Sequence, residues 1–440
     1  MSHQVNLMKL ILFVSVTVSF YILMTLSPQQ DWPVDDEFDQ EKVLDNQTFF
    51  QIKEKRSHNT TETIDLLNKI KQVKKLFLAK SSIINQIILT HDKLVILNRD
   101  SKQKQESNQK KIDEIKRIDT NSCSINLAMI FIDVNHNSYH SNTHFRMNEK
   151  LTTALTSILK YSHSTSSTSE ATGNITYCVH LIIDYNTQYR AQTVIAKLKH
   201  LMPKKNDFKL IFNLHHVDAV TQPLEHLMPS LQSHFSYKPG SYYSHSLFFL
   251  SLILHRVENF HQIDKLIYLD IDVQLNGPIE QLYDYFNHFL QDNVMGIAFE
   301  QQPVYLHLLN EYRQQVGEIT RNGGPPPDGL PGFNSGVLLL DLAKMRQSKL
   351  YNSLLNPQQI DLLTKKYHFK GHLGDQDFYS LISFDYEELF YVLPCQWNRQ
   401  LCQWWRYHGY SHVFDDYYQC NSSIKLYHGN CNSVIPSNLL

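Results

Sequence analysis

The residues best suited to chemistry are two aspartates one position apart, Asp270 and Asp272, closing the run Lys265-Leu266-Ile267-Tyr268-Leu269. A short apolar run without alternation reads as a strand buried on both faces. Side chains alternate along a strand, so both carboxylates are expected on one face at its carboxyl end, with Ile271 between them. Open α/β sheets bind ligands in that crevice. Two hard oxygen donors there suit a divalent cation that holds a diphosphate. The plainer alternative is a strand that ends in a turn or helix cap, which aspartate also favours.

Three further segments carry candidate groups. Residues 323–336 are rich in glycine and proline and lead into Val337-Leu338-Leu339-Leu340. They predict a rigid turn that presents Asn334 and Ser335 just before a buried strand. Asparagine both donates and accepts, which suits sugar hydroxyls. In Gly374-Asp375-Gln376-Asp377 a helix N-terminus is expected, and capping needs only one of the polar residues. In Tyr427-His428-Gly429-Asn430, glycine permits close backbone approach beside a histidine that can complete a metal site. Trp397, Trp404 and Trp405 interleave with Cys395 and Cys402. They suit either stacking on a sugar ring or packing against disulfides.

These groups need a scaffold, and the apolar runs at 125–132, 179–183, 210–214, 266–269, 294–299 and 337–340 supply one. With helical stretches between them they predict a three-layer α/β domain with a mostly parallel sheet. Residues 162–172 read as a low-complexity loop. The hydrophobic share of 42% is enough for a sizeable core, and the Lys+Arg total of 41 against 43 Asp+Glu gives a net charge of −2. Nucleic acid is therefore not an expected partner, since backbone binding needs a basic field.

Residues 10–26 form the one long apolar run, 17 residues without a charge, just long enough to span a bilayer. No small-x-small cleavage site ends it, so a signal-anchor is expected, with a removed signal peptide as the alternative. The expected order is a cytosolic tail (1–9), a transmembrane signal-anchor (10–26), an acidic linker and Lys-rich helical stem (27–121) and a lumenal catalytic domain (122–440). The stem carries apolar residues at helical spacing, among them Ile64, Leu67, Ile70, Val73 and Leu76. Sequons at Asn46, Asn59, Asn174 and Asn421 and six cysteines agree with a secretory address. The late cysteines, Cys395, Cys402, Cys420 and Cys431, allow three pairings that spacing alone does not distinguish.

Taken in order, strand-Asp-x-Asp, Phe-Asn-Ser-Gly-Val-Leu, Gly-Asp-Gln-Asp and His-Gly resemble glycosyltransferase family 8 over about residues 123–435. That resemblance implies a GT-A fold and transfer with retention of anomeric configuration. Residues 323–336, 395–405 and 427–431 more narrowly resemble an animal branch of the family in the endoplasmic reticulum membrane. Its members add xylose from UDP-xylose to a xylosyl-glucose O-linked on EGF-like repeats, notably of Notch.

Carried onto this chain, the resemblance makes Asp270, Asp272 and His428 ligands of manganese, with magnesium as the alternative cation. It sets Phe131, Ile132, Asp133 and Ile271 at the nucleotide, Asn334 and Ser335 at the donor sugar, and Asp375 on its hydroxyls. Gln376 comes to lie at the anomeric face; an amide is a weak nucleophile, which favours a front-side route over a covalent intermediate. Trp397, Trp404 and Trp405 become an acceptor wall braced by Cys395–Cys420 and Cys402–Cys431.

The family's lysine after His-Gly is absent, as is its arginine before the Asp-x-Asp strand. A haloacid-dehalogenase-like phosphatase is rejected, because Gln274 stands where that motif wants threonine or valine. Transfer from UDP-glucose or UDP-galactose, and a non-catalytic glycan- or EGF-binding module on the same fold, stay as alternatives.

Overall fold

A computed structural model describes residues 123–133, 141–162, 175–201, 208–236, 245–317 and 320–436. The expected anchor, linker and stem lie outside them, as does the loop beyond residue 162. Among the described residues, no helix is long and apolar enough to cross a membrane.

The apolar runs all form strands of one seven-stranded sheet. They are β1 (Ile125–Phe131), β2 (Ile175–Ile183), β3 (Phe208–His216), β4 (Lys265–Leu269), β6 (Met295–Phe299) and β7 (Phe333–Asp341), joined by β8 (Phe390–Leu393) at one edge. The strand order is β3-β2-β1-β4-β7-β6-β8. Pairings are parallel except at β7, which runs antiparallel to both neighbours. An apolar run carries no sign of its direction, so this reversal is not visible in the sequence.

Helices cover the sheet, among them α1 (Ser141–Ser162) and α2 (Tyr185–Leu201). Alternation sends successive residues of the inner strands into opposite cores. Leu127, Met129, Phe131, Ile267, Leu269, Val337 and Leu339 enter one core. Ala128, Leu266, Tyr268, Leu338 and Leu340 enter the other. Each buried large aliphatic contributes about 1.5–3 kcal/mol, so Ile267→Ala or Leu339→Ala would damage the strands that hold the site.

The reversal of β7 has a direct consequence. Its first residues lie beside the carboxyl end of β4, with Leu269 opposite Val337. Beyond the sheet, β5 (Val273–Leu275), β9 (Arg399–Gln400) and β10 (Leu426–His428) form a small second sheet in the order β5-β10-β9. Cys395–Cys420 and Cys402–Cys431 interlock around it. A third bridge, Cys123–Cys178, ties the entry of β1 to β2.

Candidate active site

Asp270 and Asp272 do not continue β4 as strand residues. The strand ends at Leu269, and the aspartates flank a tight turn into β5, with Ile271 partly packed into the core. They nevertheless converge, because β10 pairs antiparallel with β5 and sets His428 opposite Val273. The Gly429 N–H donates to the Asp272 carbonyl at 2.7 Å, locking the turn to β10. His428 Nε2 then lies 3.5 Å from a carboxylate oxygen of each aspartate. The room for the ring comes from β7: a Cβ on Gly336 would stand 2.1 Å from His428 Cε1.

The three side chains of this corner act strongly on one another's charge. Burial draws the His428 pKa down, but hydrogen bonds and charge from Asp270 and Asp272 outweigh it and raise it to about 10. Burial also opposes ionisation of Asp272, yet His428 and then Lys150 hold its carboxyl well below the usual range. Two carboxylates and one imidazole, with ligand atoms all within 4.8 Å of one another, fit a single divalent ion. The carboxylates suit a hard divalent cation and the imidazole admits a transition metal.

Lys150 was not foreseen. It reaches in from α1, 3.3 Å from Asp272 and 2.9 Å from Asn432 Oδ1. It brings a positive charge to the aspartate turn.

The opposite side of the site is built on the start of β7 and on α3 (Asp375–Ser383). Pairing between β6 and β7 shifts at Ile297/Ala298, which leaves Ser335, Gly336 and Val337 without a partner residue on β6. Gly374 precedes α3 with φ of 68°, a conformation that favours glycine. Asp375 accepts hydrogen bonds from the hydroxyls of Ser251 and Ser335. Burial nevertheless pushes its pKa up to about 7. Gln376 Oε1 accepts from the Ser335 N–H at 3.4 Å, and its Nε2 donates to Glu300 at 3.2 Å.

Asp377, the third polar residue of that motif, is fully buried and accepts from the Leu373 N–H and the Tyr305 hydroxyl, so it serves the loop. Asn334 is the second residue of β7 and not part of the preceding turn.

At the end of β1, Phe131 and Ile132 enter opposite cores. Asp133 sits 3.6 Å from Arg190 of α2. The phenylalanine and isoleucine side chains are thus packing groups, leaving backbone and Asp133 at the strand end.

The three tryptophans separate. Trp397 is 1% exposed and belongs to the core, which corrects its assignment to an acceptor wall. Trp404 is 47% exposed and stacks on His408 at 3.6 Å between ring centroids. Trp405 packs on the core and against His307 and Tyr410.

Two further residues were missed altogether. Glu300 follows β6 at its carboxyl end, and Asn398 lies in the segment from which tryptophans and cysteines were singled out. The rule that led to Asp270, a polar residue just past a buried strand, would have found Glu300 as well.

The family model described as Glycosyl transferase family 8 matches residues 150–419. Human (Homo sapiens) xyloside xylosyltransferase 1 is 48% identical over 248 residues, 56% of this chain and 63% of that protein. Chicken (Gallus gallus) glucoside xylosyltransferase 1 is 28% identical over 155 residues, 34% of this chain and 32% of that protein. The chain thus spans about three fifths of the length of the xyloside xylosyltransferases it matches. The crystal structure of mouse xyloside xylosyltransferase 1, apo form, aligns with a TM-score of 0.62 at 41% identity, covering 71% of this chain and 99% of that one. The mostly parallel sheet is the GT-A-like arrangement expected from the motifs.

Proposed function

The chain belongs to glycosyl transferase family 8, and from that premise we propose that it transfers xylose from UDP-xylose to the xylosyl-glucose O-glycan of EGF-like repeats, Notch type, with retention of configuration. The observation that carries the reading is the meeting of Asp270, Asp272 and His428 at the carboxyl end of β4, beside Asn334, Ser335, Asp375 and Gln376. Xylose as donor sugar is supported by relatives whose names are xylosyltransferases.

Asp270, Asp272 and His428 would hold manganese, which when bound neutralises charge building on UDP as the sugar–phosphate bond breaks. Lys150, 3.3 Å from Asp272, would face the same diphosphate. Asp375 and Ser335 would orient donor hydroxyls. Gln376 offers no strong nucleophile, and Glu300 behind it is only 2% exposed. The sugar–phosphate bond therefore breaks as the acceptor oxygen approaches the same face, and the acceptor proton passes to a phosphate oxygen of the departing UDP. Trp404 would present its face to the acceptor.

Three disulfides support a lumenal address, with a type II anchor in the endoplasmic reticulum or Golgi membrane and residues 122–440 in the lumen. The test is donor hydrolysis and transfer by the full chain with UDP-xylose, UDP-glucose and UDP-galactose, using a xylosyl-glucose acceptor and added manganese. UDP-xylose is expected to lead. A clear lead for UDP-glucose would overturn the donor assignment, and no turnover with any donor would favour a binding module.

A further inference from the structure

The metal-facing and sugar-facing corners are joined by buried side chains whose hydrogen bonds have a fixed direction. His428 Nδ1 lies 3.0 Å from Asn398 Oδ1. Asn398 Nδ2 lies 2.9 Å from Asn334 Oδ1 and 3.3 Å from the Asn334 carbonyl. Asn334 Nδ2 lies 3.0 Å from Glu300 Oε2, which also receives Gln376 Nε2 at 3.2 Å. Asn398, Glu300, Asn334, His428 and Gln376 are all at most 8% exposed.

Amide oxygen and nitrogen are normally interchangeable labels, but here the backbone decides each one. A carbonyl only accepts, so the Asn398 atom facing the Asn334 carbonyl is the nitrogen, and its oxygen is left for His428. A backbone N–H only donates: Gly336 N, 3.2 Å from Asn334 Oδ1, fixes the oxygen of Asn334. Ser335 N fixes the oxygen of Gln376 in the same way. The sequence of donors therefore runs from His428 through Asn398 and Asn334 to Glu300, where Gln376 arrives from the other side. Only a group that accepts at one atom from two N–H donors closes it, and the carboxylate oxygen does so. Gln400 clamps the segment, accepting from the Gln301 N–H at 2.8 Å and donating to the Phe299 carbonyl at 2.9 Å.

Resting on the metal-dependent reading above, we infer that Asn398 and Glu300 are positioning residues: Asn398 holds His428 with its proton on Nδ1 and Nε2 toward the aspartates, and Glu300 holds Gln376 and Asn334 in single amide orientations. With Asn398 reversed, its NH2 would face the Nδ1–H of His428, leaving buried donors unpaired. Among the described residues, no hydrogen bond of ordinary geometry reaches Glu300 Oε1. Its replacement by an NH2 group therefore leaves the accepting oxygen in place, so Glu300→Gln is the conservative variant.

The experiment is calorimetric titration of the full chain with MnCl2 alone, followed by kinetics at saturating manganese. Asn398→Leu is expected to weaken manganese binding by about 10–100-fold, the usual effect of losing a group that orients a ligand. Asn398→Asp keeps an acceptor for His428 and should bind manganese near the wild-type level, while kcat falls because a carboxylate cannot donate to Asn334. Glu300→Leu should lower kcat at least tenfold, and Glu300→Gln should restore most of it. A merely structural role would lower the melting temperature without separating these variants. Wild-type manganese affinity in Asn398→Leu, or equal kcat in Glu300→Gln and Glu300→Leu, would overturn the inference alone. Failure of the wild type to bind manganese would overturn the metal reading with it.

Discussion

At the β4–β5–β10 corner, Asp270 keeps a side chain 51% exposed beside a nearly buried His428, whereas at the β7–α3 corner Asp375, Gln376, Asn334 and Glu300 are all nearly closed off. The first corner keeps its carboxylate charge, with Asp272 held ionised by His428 and Lys150. In the second, burial raises both Asp375 and Glu300 to about 7. One corner is suited to meet a cation and an anionic leaving group through charge. The other is suited to read hydroxyl groups through directed hydrogen bonds, where a stray charge would be costly.

That contrast is broken most severely by removing His428. His428→Ala leaves the two aspartates facing each other with Lys150 beside Asp272. Transfer is expected to fall by at least about 100-fold, together with a loss of manganese affinity. The fold should persist, because β10 stays paired with β5 and the Cys402–Cys431 bridge is untouched. Full activity across a manganese titration would make His428 structural and send the search for ligands elsewhere.

Gly336→Ala tests the same corner from the opposite strand. Its new methyl would meet the His428 ring at 2.1 to 2.8 Å. The ring must swing off the aspartates, since a strand in mid-sheet yields less readily than a side chain. Manganese affinity should drop by about tenfold or more while donor hydroxyl contacts at Asp375 persist. An unchanged calorimetric affinity would show that the ring has other room.

Much of this was legible in the sequence, for physical reasons that differ by residue. Asp270 and Asp272 stood out because a buried strand rarely ends in two charges without use for them. The strands themselves were legible because burial on both faces leaves an unbroken apolar run. The direction of β7 was not, since Val337–Leu340 reads the same either way. Lys150 lies 122 positions from Asp272, and no local pattern links a helix lysine to a distant turn. Asn398 is a single residue whose role exists only through His428 on β10 and Asn334 on β7, whereas Glu300, just past a buried strand, met the same rule as Asp270 and was overlooked. Trp397 and Trp404 look alike in sequence, and only packing separates a core ring from an exposed one.

Those two tryptophans sharpen the comparison on the sugar-facing side. Trp397→Ala should cost about 3–5 kcal/mol of stability, as expected for a buried aromatic. Trp404→Ala should leave the melting temperature near that of the wild type and raise KM for a folded EGF-repeat acceptor several-fold, with donor hydrolysis retained. Equal losses of acceptor transfer and donor hydrolysis in Trp404→Ala, with a lowered melting temperature, would instead assign it to packing.

The smallest expected effect comes from pH and isolates the closed corner. Burial raises the Glu300 pKa from the ordinary 4.5 to about 7, against the hydrogen bonds from Asn334 and Gln376 that lower it. Between those values the folded protein keeps a proton that the unfolded chain has lost. Stability from this group is therefore full below about pH 4.5 and is lost as pH rises through 7. Asp375 and Asp377 act in the same direction. His180 and His215, which burial lowers to about 3 and about 4, act in the opposite direction. All four are shared by wild type and Glu300→Gln and cancel in the difference between them. Urea unfolding of both proteins at pH 5 and pH 8 should show the wild type losing more stability than the variant, by an amount on the order of 1 kcal/mol. Identical losses would mean that Glu300 is ionised throughout, and that the second corner carries a buried charge like the first.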